Sequence, residues 1–268
     1  MSIKLGILAS SIQSGGGTDP DAQAFFNRVT AAGGTLSATE QNAVNTLTLS
    51  LKSFGIWPTL KALYPIVGGS AASCAQNLIS SSFTGTFGGG WIFSTTGIQG
   101  NASNTFMDTA LSPSISLTLS SGQISVYIRS IALEDRCDIG TTNGAFGAVD
   151  EILLMSNFPS LGFVPVYTQY GGGGTNFDAR GFFITNRNSA TITNGFKNGV
   201  KIYNAAQTAS ILPVLPFTLG CQNATSKTRF TTKEYAFCSI GDGITDSQAS
   251  NFYTVVQTFQ TTLSRQVW

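Results

Sequence analysis

Apolar positions follow a helical period over the first quarter of the chain and a strand period over most of the rest. Asp19 and Pro20 suit the entry of a helix, Ala22, Phe25, Phe26 and Val29 share one of its faces, and Gly33 with Gly34 stops it. A second helix opens with Ser37 and Glu40 in capping-box spacing, turns Val44, Leu47, Leu51 and Phe54 inward, and ends at Gly55. Residues 56–65, bounded by Pro58 and Pro65, read as a third helical turn, and Gly68 with Gly69 releases the chain into a different regime.

From residue 70 the punctuation is that of strands. The segments 91–93, 116–119, 124–129, 163–167, 181–185 and 200–203 are short, rich in β-branched or aromatic residues, and separated by Gly, Asn, Ser and Pro. Alternation is clearest at Ile124, Val126 and Ile128, which predicts an inward face, with Ser125, Tyr127 and Arg129 facing water. Asn198 and Gly199 are the strongest hairpin signal, because a type I′ turn needs positive φ at both central residues. The segment from Tyr235 to Gly243 reads as a last core strand. It leads into a helix at 245–264 that Thr245 and Gln248 cap and whose stripe is Ala249, Phe252, Val256, Phe259 and Leu263. Several antiparallel strands with such turns predict a β-sandwich rather than a parallel α/β sheet. The expected organisation is an arm and Gly-rich joint at 1–18, a helical region at 19–69, and a sandwich with its helix at 70–268.

Composition narrows the function. Charged residues are 10% of the 268, far below the roughly 25% of a typical soluble domain, so Ser, Thr, Asn, Gln and Gly must form most of the surface. A net charge of +1 gives no overall field to draw in nucleic acid or anionic lipid, and suits a subunit that shares its surface with neighbours. No segment approaches the apolar length of a bilayer span, and the start is too short in apolar residues for a signal peptide, so the expectation is a chain made in a cytoplasm without membrane insertion. Ile3, Leu5, Ile7 and Leu8 ahead of the joint predict an arm that buries its apolar side chains against another subunit, with an edge strand on its own sandwich as the alternative.

Histidine is absent, which removes the commonest general base and transition-metal ligand. Cys74, Cys137, Cys221 and Cys238 form no C-x-x-C pair and read as buried thiols, so no cofactor is expected. Asp150 and Glu151 are adjacent and project to opposite faces of a strand, unlike the paired carboxylates of a glycosidase. Glu134, Asp135 and Asp138 could approach a calcium ion but lack the spacing of a dedicated loop, and a solvated turn is the expectation. The glycines from 171 to 174 read as a turn, since no Gly-Lys-Ser/Thr follows. Tyr167 and Tyr170 flank that turn with Asn176 nearby, and rings beside amides are the chemistry of sugar binding.

The segments 181–187, 196–200 and 237–246, in that order, resemble the later strands of the concanavalin A-like, laminin-G-like jelly-roll family. With 252–265 as a closing helix and the 57–69 segment upstream, the chain resembles the sandwiches of bacteriophage virion proteins over most of residues 19–265. That resemblance implies a non-enzymatic virion subunit, head- or tail-associated, whose partners are other virion proteins and copies of itself. A receptor-binding module for a neutral cell-surface glycan is the alternative. A polysaccharide-cleaving enzyme fits least, because the family's E-x-D-x-x-E strand is missing.

Overall fold

A computed structural model of the chain describes residues 17–267 apart from 145–146, 148–149, 169–171, 175 and 208–210. Ile3, Leu5, Ile7, Leu8 and Tyr170 lie outside the described residues. The chain opens with α1 (Pro20–Ala31) and α2 (Ala38–Ser53), then a 3-10 turn and β1 (Leu60–Tyr64). One-turn helix α3 (Ala71–Cys74) precedes the short strands β2 (Thr86–Gly88), β3 (Ile92–Phe93), β4 (Ile98–Gln99) and β5 (Phe106–Asp108). A second single turn, α4 (Pro113–Ser116), leads to β6 (Gly122–Ile128), β7 (Ile139–Thr142), β8 (Glu151–Phe158) and β9 (Gly162–Tyr167). Then come β10 (Gly181–Arg187), β11 (Ile192–Lys197), β12 (Val200–Ala206), β13 (Thr218–Leu219), β14 (Gln222–Asn223), β15 (Glu234–Gly241) and α5 (Asp246–Thr262).

The expected sandwich is present. One sheet runs β12-β11-β10-β6-β15-β4-β3, with β1 beside the second half of β15; the other runs β2-β5-β13-β7-β8-β9. Apart from the parallel pairing of β14 with β7, every ladder is antiparallel. Ile124, Val126, Ile128, Phe183, Cys238 and Ile240 face Ile139, Ile152, Leu154 and Phe163 across the sandwich, all fully buried.

A second core lies on the outer face of the first sheet. Tyr127, Phe182, Ile184, Phe196 and Phe237 are buried there under Phe25, Leu47, Leu51, Phe252, Val256 and Phe259 of the three long helices. The molecule is therefore three layers: helices, sheet, sheet.

Local chemistry explains the elements that were legible. Thr245 and Gln248 form both bonds of the capping box of α5, as Ser37 and Glu40 do for α2. Asn198 and Gly199 have φ of 49° and 76°, the positive pair that the two-residue hairpin demands. All four cysteines are buried, free thiols. Among the described residues no helix is long and apolar enough to cross a membrane.

Three expectations are corrected. Strand β6 has no wet face: Ser125 and Tyr127 are fully buried, because Ser125 Oγ meets Ser239 Oγ at 2.7 Å and Tyr127 lies beneath α5, 3.1 Å from Gln257 Oε1. Residues 60–64 are a strand and not a helical turn, drawn into the sheet by the open edge of β15. Ser116 ends a helical turn that Pro113 starts, and residues 117–119 follow it with an isolated bridge from Thr118 to Ser121 rather than a strand. Since β1 pairs with β15 and the helices share a core with the first sheet, packing is continuous across residue 69.

Candidate functional site

The end of the sandwich where β10 closes and α5 begins is organised by a buried cation. Arg187 is fully buried and donates from Nη1 to Tyr167 O (3.1 Å), from Nε to Ser189 O (3.1 Å), and from Nη2 to Gln207 O (2.7 Å) and Ala190 O. One guanidinium thus satisfies carbonyls from three connections, and burial lowers its pKa from the ordinary arginine value. Asn186 fixes α5 to the same end, accepting from Ile244 N and donating to Ile244 O, each at 2.9 Å; Asn188 Nδ2 donates to the same carbonyl at 2.9 Å.

Beside this frame lies an open groove of about 490 Å³, lined by Asn188, Ser189, Ile192, Asn194, Lys201, Asn204, Thr245, Asp246 and Ser247. It occupies the corner of the first sheet's outer face beside the start of α5. Asn204 Nδ2 donates to Asn194 Oδ1 at 2.7 Å across the β11–β12 ladder, and Lys201 Nζ pairs with Asp246 at 2.7 Å. The formal charges cancel within the wall. What the groove offers a ligand is therefore amides and hydroxyls, groups that both donate and accept, which suits a neutral polyhydroxylated molecule.

Two smaller grooves are also present. One of about 420 Å³ is lined by Gly144, Gln222, Ala224, Thr225, Ser226, Thr228 and Arg229, and one of about 280 Å³ by Ser37, Thr39, Glu40, Thr95, Thr262, Leu263 and Ser264. The first groove differs in having most of its polar lining on two paired strands and a capped helix, elements that hold side chains in place.

The residues singled out in the sequence are not brought together into a site. Tyr167 is fully buried in the sandwich core, its hydroxyl donating to Thr118 O at 2.6 Å, so its ring is closed to a sugar. The inward face of β9 and the enclosing Arg187 frame put it there. Asn176 spends its amide on Ser156 O, Asp178 O and the ammonium of Lys197 (3.0, 2.7 and 2.7 Å), which pins the connection between β9 and β10.

Glu151 is fully buried, accepts from Gly147 N at 3.1 Å, and is pushed up to about 7 chiefly by burial. Glu134 accepts from Thr232, Asp135 pairs with Arg229, and Asp138 pairs with Lys233, whose ammonium also stands 4.0 Å from Glu134; among the described residues no group of three His, Cys, Asp or Glu is placed to hold a metal ion.

The groove residues escaped the sequence pattern for a geometric reason. A regular ladder from the Asn198-Gly199 turn would oppose Asn194 to Tyr203, but an extra residue in β12, Ile202, shifts the register so that Asn194 meets Asn204. The bulge makes the amide pair.

No family model matches the chain, and no curated protein sequence matches it. Its fold is similar to that of domain 4 of AbnA, a GH43 extracellular arabinanase from Geobacillus stearothermophilus solved in complex with arabinotriose: 12% identity, TM-score 0.50, 72% of this chain and 98% of that one. A botulinum neurotoxin type C structure is 11% identical with a TM-score of 0.49, matching 76% of this chain and 52% of that chain. The NanB sialidase of Streptococcus pneumoniae is 13% identical with a TM-score of 0.39, over 62% of this chain and 27% of that one. Likeness at the first of these levels identifies a common β-sandwich fold.

Proposed function

We propose that the chain is a non-catalytic, lectin-like binding sandwich that holds a neutral glycan in the groove between β11, β12 and the start of α5, as an attachment subunit of a bacteriophage particle. The observation that carries this reading is the groove's lining of amides and hydroxyls, in which the one lysine and the one aspartate neutralise each other as an ion pair. Support also comes from the arabinotriose complex of the AbnA domain, which has the same fold. The absence of histidine and the burial of Glu151 favour binding over cleavage. The phage setting, with other virion proteins and further copies as partners, rests on the resemblance of the sequence to bacteriophage virion sandwiches, carried by the closing helix at 252–265 and the 57–69 segment upstream of the strands.

A glycan array probed with the purified chain tests the reading. Neutral oligosaccharides, arabinotriose among them, are expected to bind in preference to sialylated ones. Asn204→Ala should weaken that binding about tenfold, the equivalent of one lost hydrogen bond of about 1.4 kcal/mol. Binding confined to acidic glycans, or unaffected by Asn204→Ala, contradicts it. A purely structural virion subunit is the second reading, favoured by the nearly uncharged surface; incorporation into particles without binding to any arrayed glycan would select it.

A further inference from the structure

A fully buried ionisable pair lies away from the groove, between the two sheets. Lys233, immediately before β15 of the first sheet, and Asp138, immediately before β7 of the second, are both fully buried. Lys233 Nζ lies 3.0 and 3.2 Å from the two carboxyl oxygens of Asp138 and 3.0 Å from Ser156 Oγ. The Asp138 oxygens receive two further donors, Ser156 N on Oδ2 at 2.6 Å and the Tyr235 hydroxyl on Oδ1 at 2.8 Å. A second carboxyl group, Glu134, stands 4.0 Å from Lys233 Nζ and is partly open to solvent.

A nucleophile, a carboxyl carbon flanked by oxyanion donors, and a proton carrier are thus held together by two separate sheets. We propose that Lys233 and Asp138 condense into an intramolecular isopeptide bond that joins the two sheets covalently. A proton passes from the Lys233 ammonium to the Asp138 carboxylate, leaving an amine and a carboxylic acid. The Nζ lone pair then attacks Cγ, forming the C–N bond while the electron pair of the C=O bond moves onto Oδ2, to which the Ser156 N–H donates.

Glu134 takes one of the two protons left on Nζ and returns a proton to Oδ1, which departs as water, and Oδ2 becomes the amide carbonyl. Ammonium plus carboxylate becomes amide plus one water, with no other reactant. Burial raises the pKa of Glu134 above the ordinary glutamate value, which suits a group that must both take and give a proton. Two physical gains favour the product: the fold holds the reacting groups in contact, and the neutral amide removes the penalty of a buried ion pair. The bond would also close a long loop between the sheets, as a disulfide does in other chains, in a protein whose four cysteines are free thiols.

Intact-mass spectrometry of the full chain under denaturing conditions tests the proposal. The expected mass is one water below that of the sequence, with a branched tryptic peptide joining the segments that carry Asp138 and Lys233. Lys233→Arg should show its full mass. Because that variant replaces a buried group, Glu134→Gln, at the rim of the cluster, provides the second test: a folded protein, by circular dichroism, at its full mass. A wild-type mass equal to that of the sequence, with Asp138 and Lys233 in unbranched peptides, overturns the proposal and leaves a plain ion pair. Loss of water in Glu134→Gln overturns the role given to Glu134.

Discussion

Phe252→Ala is the sharpest perturbation of the helical layer. The ring of Phe252 is fully buried and meets Phe182 at 5.1 Å and 77°, and Phe237 at 5.9 Å and 76°, in edge-to-face arrangements. Phe182 and Phe237 are also paired with each other, so removing Phe252 opens a three-ring cluster in which neither remaining ring can easily fill the void. Truncating a core phenylalanine costs about 3–5 kcal/mol, and edge-to-face pairs contribute roughly 0.5–1.5 kcal/mol beyond burial, so a loss of about 4–5 kcal/mol is expected. In a chain of this length each kcal/mol lowers Tm by about 2–4 °C, which gives a fall of roughly 8–20 °C. Urea unfolding followed by tryptophan fluorescence and far-ultraviolet circular dichroism measures the change as a lower midpoint at constant slope. Thr254→Ala, on the exposed side of the same helix, should stay within about 0.5 kcal/mol of the wild type. Equal midpoints for the two variants would refute the argument that α5 is a packed layer.

Two further substitutions test the ends of the sandwich. Glu151 has a pKa of about 7 in the folded chain against 4.5 for an unburied glutamate, so between those values the folded state binds the proton more tightly. Its favourable contribution is fully present below about pH 4.5 and is lost as pH rises through about 7, a total on the order of 3 kcal/mol. Glu151→Gln should flatten the fall in Tm between about pH 5 and 8, and an unchanged slope would count against the assignment. A Cβ added at Gly243 would strike the carbonyl of Arg187, which belongs to β10. Gly243→Ala should therefore cost about 1–3 kcal/mol in urea unfolding and weaken glycan binding by displacing the start of α5, and wild-type values for both would refute the close approach.

Elements with local chemistry were readable from the sequence, and those settled by distant partners were not. The caps of α2 and α5 and the Asn198-Gly199 turn are each decided by residues within four positions of one another. The outer face of β6 has the alternation of a half-wet strand, but Ser239, over a hundred residues away, and α5 supply the partners that bury it. Tyr167 and Asn176 have the residue types of a sugar site, but Thr118, Ser156 and Lys197 claim their polar atoms. Arg187 carries no local signal of its own and becomes the buried frame of the groove only when three connections converge on it. The groove itself depends on a bulge that no local motif announces.

The measurement that tests the binding site most directly is a nuclear magnetic resonance titration of the isotope-labelled chain with arabinotriose and the neutral oligosaccharides retained on the array. The account predicts saturable shifts in the side-chain amides of Asn188, Asn194 and Asn204 and in the backbone of Ser189 and Ser247, all lost together in Asn204→Ala. Saturable shifts centred instead on Gln222, Thr225 and Arg229, or no saturable shift with any neutral oligosaccharide, would contradict it.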